Sequence, residues 1–185
     1  ARARELRSVA LVVVAQAVLV ASYLVVEPQR GPNEHSGDPL VEAPTTMDAP
    51  LPPLEIRLRN GRAMTLQAPR RHTLLHLWGT WCPPCRAELP GLLAVPTRHP
   101  VDVIAVALDA SWAPVDGFLD GSIDERVVLG DSARVQGVLG VRTLPATFLV
   151  SPRGRLVARF DGARRWGDSP FCERWLRAER TRTPR

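Results

Sequence analysis

The chain has 185 residues, 45% hydrophobic and 23% charged, enough for one domain with a full core and further segments beside it. Its net charge of +5 comes from 24 basic residues against 19 acidic ones, every basic residue being arginine, scattered along the chain. No basic stripe interleaved with aromatics accompanies that charge, so nucleic acid is not an expected partner, and three cysteines are too few for a disulfide-stapled scaffold.

Residues 1–7 form a basic segment with Arg2, Arg4 and Arg7 against Glu5, and residues 8–26 follow without a charge. At ~1.5 Å rise per residue such a run can cross a hydrocarbon core of ~30 Å. A cleaved signal peptide shares the basic start, but its apolar core runs only ~7–15 residues, so a retained single transmembrane anchor is the expectation. The arginines before the span place the N-terminus in the cytoplasm and the rest on the extracytoplasmic, periplasmic side of the inner membrane. Residues 27–50 carry Pro28, Pro32, Pro39, Pro44 and Pro50 and lack apolar periodicity, reading as a semi-stiff tether.

The folded domain is expected over residues 51–180, with 181–185 as a tail. Residues 54–58 and 63–66 alternate around Asn60-Gly61, a hairpin signal. A strand over 74–78 leads into a helix over 82–94 that Pro90 should kink. Residues 101–108 are nearly continuously apolar, as a strand covered on both faces would be. A short helix over 112–120, a strand over 126–129, and a helix over 132–139 capped by Asp131 or Ser132 and closed by Gly140 come next. Residues 147–150 and 156–160 flank a turn as an antiparallel hairpin, and a last helix covers 169–179. Strands alternating with helices and ending in a hairpin predict an α/β fold with a mixed central sheet and helices on both faces.

Chemistry concentrates in Trp81-Cys82-Pro83-Pro84-Cys85, between the 74–78 strand and the following helix. Two cysteines three apart at a helix N-terminus suit reversible dithiol/disulfide exchange, because unpaired N–H groups and the dipole favour a thiolate. Cys82, at the helix start, is the expected nucleophile, and Cys85, one turn inside, the resolving thiol. Pro83 and Pro84 lack N–H groups, which leaves the Cys85 N–H as the main local donor to the Cys82 sulfur. A zinc half-site or a purely structural bridge is the alternative; zinc usually takes four ligands, and no second CxxC or HxxxH is present. A Cu(I)-handling module using the two thiolates is a further alternative, without a Met-rich or extra His/Cys cluster to support it. Cys172, on the last predicted helix, reads as a small hydrophobe.

With Leu77-Trp78-Gly79-Thr80 before it, this motif resembles the thioredoxin superfamily, more closely its membrane-tethered TlpA/ResA-like branch. The resemblance implies a thioredoxin-like fold, a redox-active Cys82–Cys85 disulfide with no other cofactor or metal, and protein disulfides as substrates. It further implies an electron donor in the membrane of the DsbD/CcdA kind, reductase work on clients such as apocytochrome c, and Trp81 with the two prolines at the substrate-facing rim. An oxidase or isomerase is the other direction open to such a dithiol. The segment from Arg142 to Leu149 is similar to the family's cis-proline segment, so Leu144–Pro145 is expected to be cis and to dock substrate chain, although most X–Pro bonds are trans. Glu88 matches an acid of ResA-like proteins that could relay a proton to Cys85; the other reading is a solvent-facing acid favoured by the helix dipole. His76 stands where thioredoxins proper have aspartate and the tethered branch often has asparagine. Either it relays a proton or it is a hydrogen-bonded core residue.

Overall fold

A computed structural model describes residues 44–166, and the expected anchor, most of the tether, the 169–179 helix and Cys172 lie outside them. Among the described residues no helix is long and apolar enough to cross a membrane. The elements run β1 (Thr45–Pro50), β2 (Glu55–Arg57), β3 (Ala63–Thr65), β4 (Thr73–Trp78), α1 (Pro83–Leu93), a 3₁₀ turn (Val95–Thr97), β5 (Asp102–Ala107), α2 (Trp112–Phe118), β6 (Val127–Gly130), α3 (Ser132–Leu139), β7 (Ala146–Val150) and β8 (Arg155–Asp161).

The strands make one sheet in the order β1-β8-β7-β4-β5-β6-β2-β3. β4 is parallel to β5 and antiparallel to β7, and β5 is parallel to β6, so the sheet is mixed as expected. Parallel neighbours cannot be joined by a tight turn, and α1 and α2 supply the two crossovers. All six residues of β4 are buried, because the strand lies mid-sheet with layers on both sides.

Strand alternation divides the core. On one face Leu74 and Trp78 of β4, Val103, Ala105 and Ala107 of β5, and Phe160 of β8 meet Leu89 and Leu92 of α1. On the other, Leu75, Leu77, Val106, Phe148 and Val150 meet Val135 and Leu139 of α3. Caps fix α3 where the sequence placed them: the Asp131 side chain accepts from the Arg134 N–H, and Gly140 takes the left-handed conformation with φ 62°.

One boundary is corrected. The sheet begins at Thr45, inside the segment read as tether over 27–50, rather than at residue 51. β1 pairs with β8 along the sheet edge, with an irregularity between Thr46 and Ala49, and Arg155 ties it down through Asp48. An edge strand needs donors on one side only, so Pro50 does not prevent pairing there, whereas proline content argued for a linker.

The layer contact between β6 and α3 generates a test. A Cβ on Gly130 would meet Val106 Cγ1 at 2.6 Å and Val135 Cγ2 at 3.0 Å, both on short branched side chains. Gly130→Ala is expected to lower stability by about 1–3 kcal/mol, read by urea denaturation. An unchanged midpoint would show that the β6–α3 layer yields freely.

Candidate active site

β4 delivers the chain to a turn in which the Cys82 N–H donates to the Gly79 carbonyl at 3.1 Å. Gly79 lets the Trp81 indole lie close to the turn: a Cβ there would meet the ring at 2.7 Å and displace it. Trp81 is consequently laid against the backbone of the turn with 60% of its surface exposed. Asp109, just beyond β5, grips the same turn from the adjacent strand end. It accepts from the Thr80 hydroxyl at 2.6 Å and from the Thr80 N–H at 3.1 Å. The residue immediately before Trp81-Cys82 is thereby fixed at both backbone and side chain.

Cys82 is the N-cap of α1, with Pro83 and Pro84 exposed in the first turn, and the Cys85 N–H reaches the Cys82 sulfur at 3.4 Å. That is the local donor the two prolines leave available. Cys82 and Cys85 are joined in a disulfide. Cys85 is fully buried and Cys82 retains 6% exposure, so the outer sulfur is the one a partner can approach.

Leu144–Pro145 is cis. Ala146 pairs with Leu77 in the sheet, and this register puts Pro145 at the end of β7 beside the β4 terminus, from which the Gly79–Cys82 turn departs. Pro145 is buried, Leu144 is half-buried, and the Pro145 carbonyl accepts from the Gly162 N–H at 3.0 Å.

Glu88 and His76 come together beneath α1. Glu88 shares the buried stripe of the helix with Cys85, Leu89 and Leu92, one turn beyond Cys85, and is 6% exposed. The solvent-facing reading therefore fails for Glu88. His76 is wholly buried, with Nδ1 2.9 Å from Thr147 Oγ1 and Nε2 3.5 Å from Glu88 Oε1. The second carboxylate oxygen accepts from the Arg164 backbone N–H at 2.5 Å, where the chain leaves β8. Trp166, edge-on to Phe160, closes the same side.

Burial governs the titration of both groups. Removal from water pushes the His76 imidazole down to about 3, so the ring is neutral at physiological pH. Burial pushes the Glu88 carboxyl up to about 7, against the Arg164 N–H, the Trp166 indole and the Arg164 guanidinium, which favour its charged form. Trp166 Nε1 is near enough to favour the charge but stands outside hydrogen-bond geometry. A carboxyl poised near neutrality one turn from Cys85 is equipped to exchange a proton.

Sequence reasoning missed Asp109, Thr147, Arg164 and Trp166. Asp109 had a usable signal, since it follows a strand parallel to β4 and strand carboxyl ends gather sites. Thr147 faces His76 directly in the β4–β7 register, which only the sheet reveals. Arg164 and Trp166 lie in irregular chain and had no signal.

No family model matches the chain. It is 33% identical over 104 residues to the thiol-disulfide oxidoreductase ResA of Bacillus subtilis (strain 168), covering 53% of this chain and 58% of that protein. It is 35% identical over 91 residues to a thiol:disulfide interchange protein DsbE homolog of Paracoccus denitrificans, covering 48% of this chain and 50% of the relative. The chain thus spans little more than half the length of the relatives it matches. A thioredoxin-family thiol:disulfide interchange protein of Chlorobium tepidum superposes with a TM-score of 0.56 at 17% identity, over 72% of this chain and 97% of that one. That likeness establishes the thioredoxin-like fold.

Two tests follow from this geometry. Unfolded, Glu88 ionises at its ordinary value of 4.5, whereas the folded protein holds the proton to about 7. Stability contributed by the neutral acid is therefore lost as pH rises between those values and stays lost above them. Glu88→Gln is expected to gain on wild type across that interval, by up to about 3 kcal/mol, when urea unfolding is compared at about pH 4.5 and about pH 8. Asp109→Ala removes both bonds to Thr80 and is expected to cost about 1–3 kcal/mol. It should also slow alkylation of Cys82 in the reduced chain, with Asp109→Asn, which keeps one acceptor, losing less.

Proposed function

Because the chain is a thioredoxin-fold relative of the ResA and DsbE thiol–disulfide oxidoreductases, we propose that it is a protein disulfide reductase working through Cys82 and Cys85. The observation that carries this reading is the asymmetric disulfide at the α1 N-terminus, with Cys82 retaining slight exposure, Cys85 fully buried, and a poised acid one helical turn beyond Cys85.

In the reduced protein the Cys82 thiolate attacks one sulfur of a client disulfide. A Cys82–client mixed disulfide forms, and the client's other sulfur leaves as a thiolate. Cys85 then gives its proton to the Glu88 carboxylate and attacks the Cys82 sulfur. The Cys82–Cys85 bond forms, the mixed disulfide breaks, and the client departs carrying both electrons. Exposed Trp81, Pro83 and Pro84 meet the client on one side of the sulfur. The Leu144 backbone, before cis-Pro145, pairs with extended client chain on the other. The dithiol is itself the redox group.

Residues 8–26 would hold the domain at the extracytoplasmic face of the inner membrane, with the tether spacing it from the bilayer. That compartment is oxidising, so a membrane thiol donor of the DsbD/CcdA kind must return the dithiol to its reduced state. Apocytochrome c, whose cysteines must be free for haem attachment, is a fitting client.

Cys85→Ser leaves the attacking sulfur but removes the resolving one. Expressed in the periplasm, this variant is expected to accumulate mixed disulfides through Cys82, visible as reductant-sensitive adducts and absent from Cys82→Ser. A folded Cys85→Ser protein that captures no client would sink the reading. The reduction potential gives the direction: a value near thioredoxin's, about −270 mV, fits a reductase, and one near about −120 mV an oxidase.

A further inference from the structure

A neutral imidazole carries one donor nitrogen and one acceptor, and in His76 both point at groups that can play either part. Nδ1 meets the Thr147 hydroxyl, which donates or accepts; Nε2 faces Glu88 Oε1 across 3.5 Å, just outside hydrogen-bond geometry, and that carboxyl accepts when ionised and donates when protonated. Because Oε2 accepts from the Arg164 N–H, the proton of the neutral acid belongs on Oε1, and two arrangements then suit both ends of the ring. With Glu88 ionised, Nε2–H is directed at Oε1 and Nδ1 accepts from Thr147. With Glu88 protonated, its O–H is directed at Nε2 and Nδ1–H donates to Thr147. Any other combination sets donor against donor or lone pair against lone pair inside a dry core.

We propose that Thr147 is a positioning residue for the dithiol reaction, acting through His76. Its hydroxyl serves Nδ1 as donor or as acceptor, so the ring can offer Glu88 whichever partner the state of the carboxyl requires. Its use in disulfide exchange rests on the oxidoreductase reading. In the resolving step the proton leaves the Cys85 sulfur for the Glu88 carboxylate. The net rearrangement beside it moves the ring proton from Nε2 to Nδ1, with no charge placed on the imidazole.

The surroundings support a two-state device. From β5 the residue opposite His76 is Ala105, and from β8 the residue opposite Thr147 is Phe160; neither titrates. From α1 the titratable neighbour of Glu88 is Cys85. From the segment after β8 come Arg164, whose backbone N–H holds Oε2 and whose guanidinium favours the carboxylate, and the Trp166 indole. The Arg164 N–H thus occupies the carboxylate oxygen that does not face His76 Nε2, and the ring proton follows the carboxyl.

The test is nitrogen NMR of the full oxidised chain, ¹⁵N-labelled at histidine, with His76 assigned by comparison with His76→Asn. Between about pH 5 and about pH 9 the protonated nitrogen of His76 is expected to change from Nδ1 to Nε2 along with Glu88 ionisation. In Glu88→Gln one tautomer should persist throughout. Thr147→Val leaves Nδ1 without a partner in both arrangements, and because a buried N–H is costlier to strand than a lone pair, the midpoint should fall by roughly one pH unit. Thr147→Ser should restore it. A single His76 tautomer across the range in wild type, or a Thr147→Val midpoint equal to wild type, overturns the proposal. These readouts follow ring and carboxyl in the oxidised chain, so client capture succeeds or fails independently of them.

Discussion

A strand with no exposed face can present chemistry only at its ends, and β4 is such a strand. Flanked in the sheet by β5 and β7 and covered on both faces, it has no solvent side along its length. The chain leaving it must turn at once and start a helix against the sheet, because the next strand is parallel and needs a crossover. The nucleophile sits at that junction. Helix dipole, unpaired N–H groups and limited exposure all act on Cys82 as consequences of where β4 stops. Asp109 grips Thr80 from the neighbouring strand end for the same reason, since parallel strands finish together.

The same burial sets the electrostatics beneath the helix. A carboxyl and an imidazole in contact would ordinarily exchange a proton and form an ion pair, but here desolvation moves the two titrations past one another. The neutral pair holds up to about pH 7 because water is absent, and the Arg164 N–H, the Trp166 indole and the Arg164 charge keep the carboxyl from rising further. Glu88 and Cys85 share one stripe of α1, so the acid lies on the side of the helix that carries the buried sulfur. The division of labour between the cysteines is therefore built into helical periodicity.

Much of this was legible in the sequence. The strand–turn–helix around Cys82, the α3 caps at Asp131 and Gly140, and the hairpin after Pro145 follow from local signals that tertiary packing left intact. Glu88 was readable too: at i+3 from Cys85, beside Leu89 and Leu92, it falls on the buried stripe, and the dipole argument for an exposed acid overlooked that period. β1 was obscured because proline content marks linkers and edge strands alike. The contacts of His76 with Thr147 and of Glu88 with Arg164 depend on sheet register and on the exit from β8, which no local pattern encodes.

The closing of Glu88 by Arg164 joins residues 76 positions apart. A chain made from its N-terminus completes the turn holding Cys82 and Cys85 well before it has the backbone N–H that covers the acid. During synthesis the two thiols therefore exist for a time beside a carboxyl still open to water, with ordinary acidity. The tuned proton chemistry of the finished site is acquired late, from the last stretch of the described chain. Until then these cysteines are ordinary substrates for whatever oxidants the emerging chain meets.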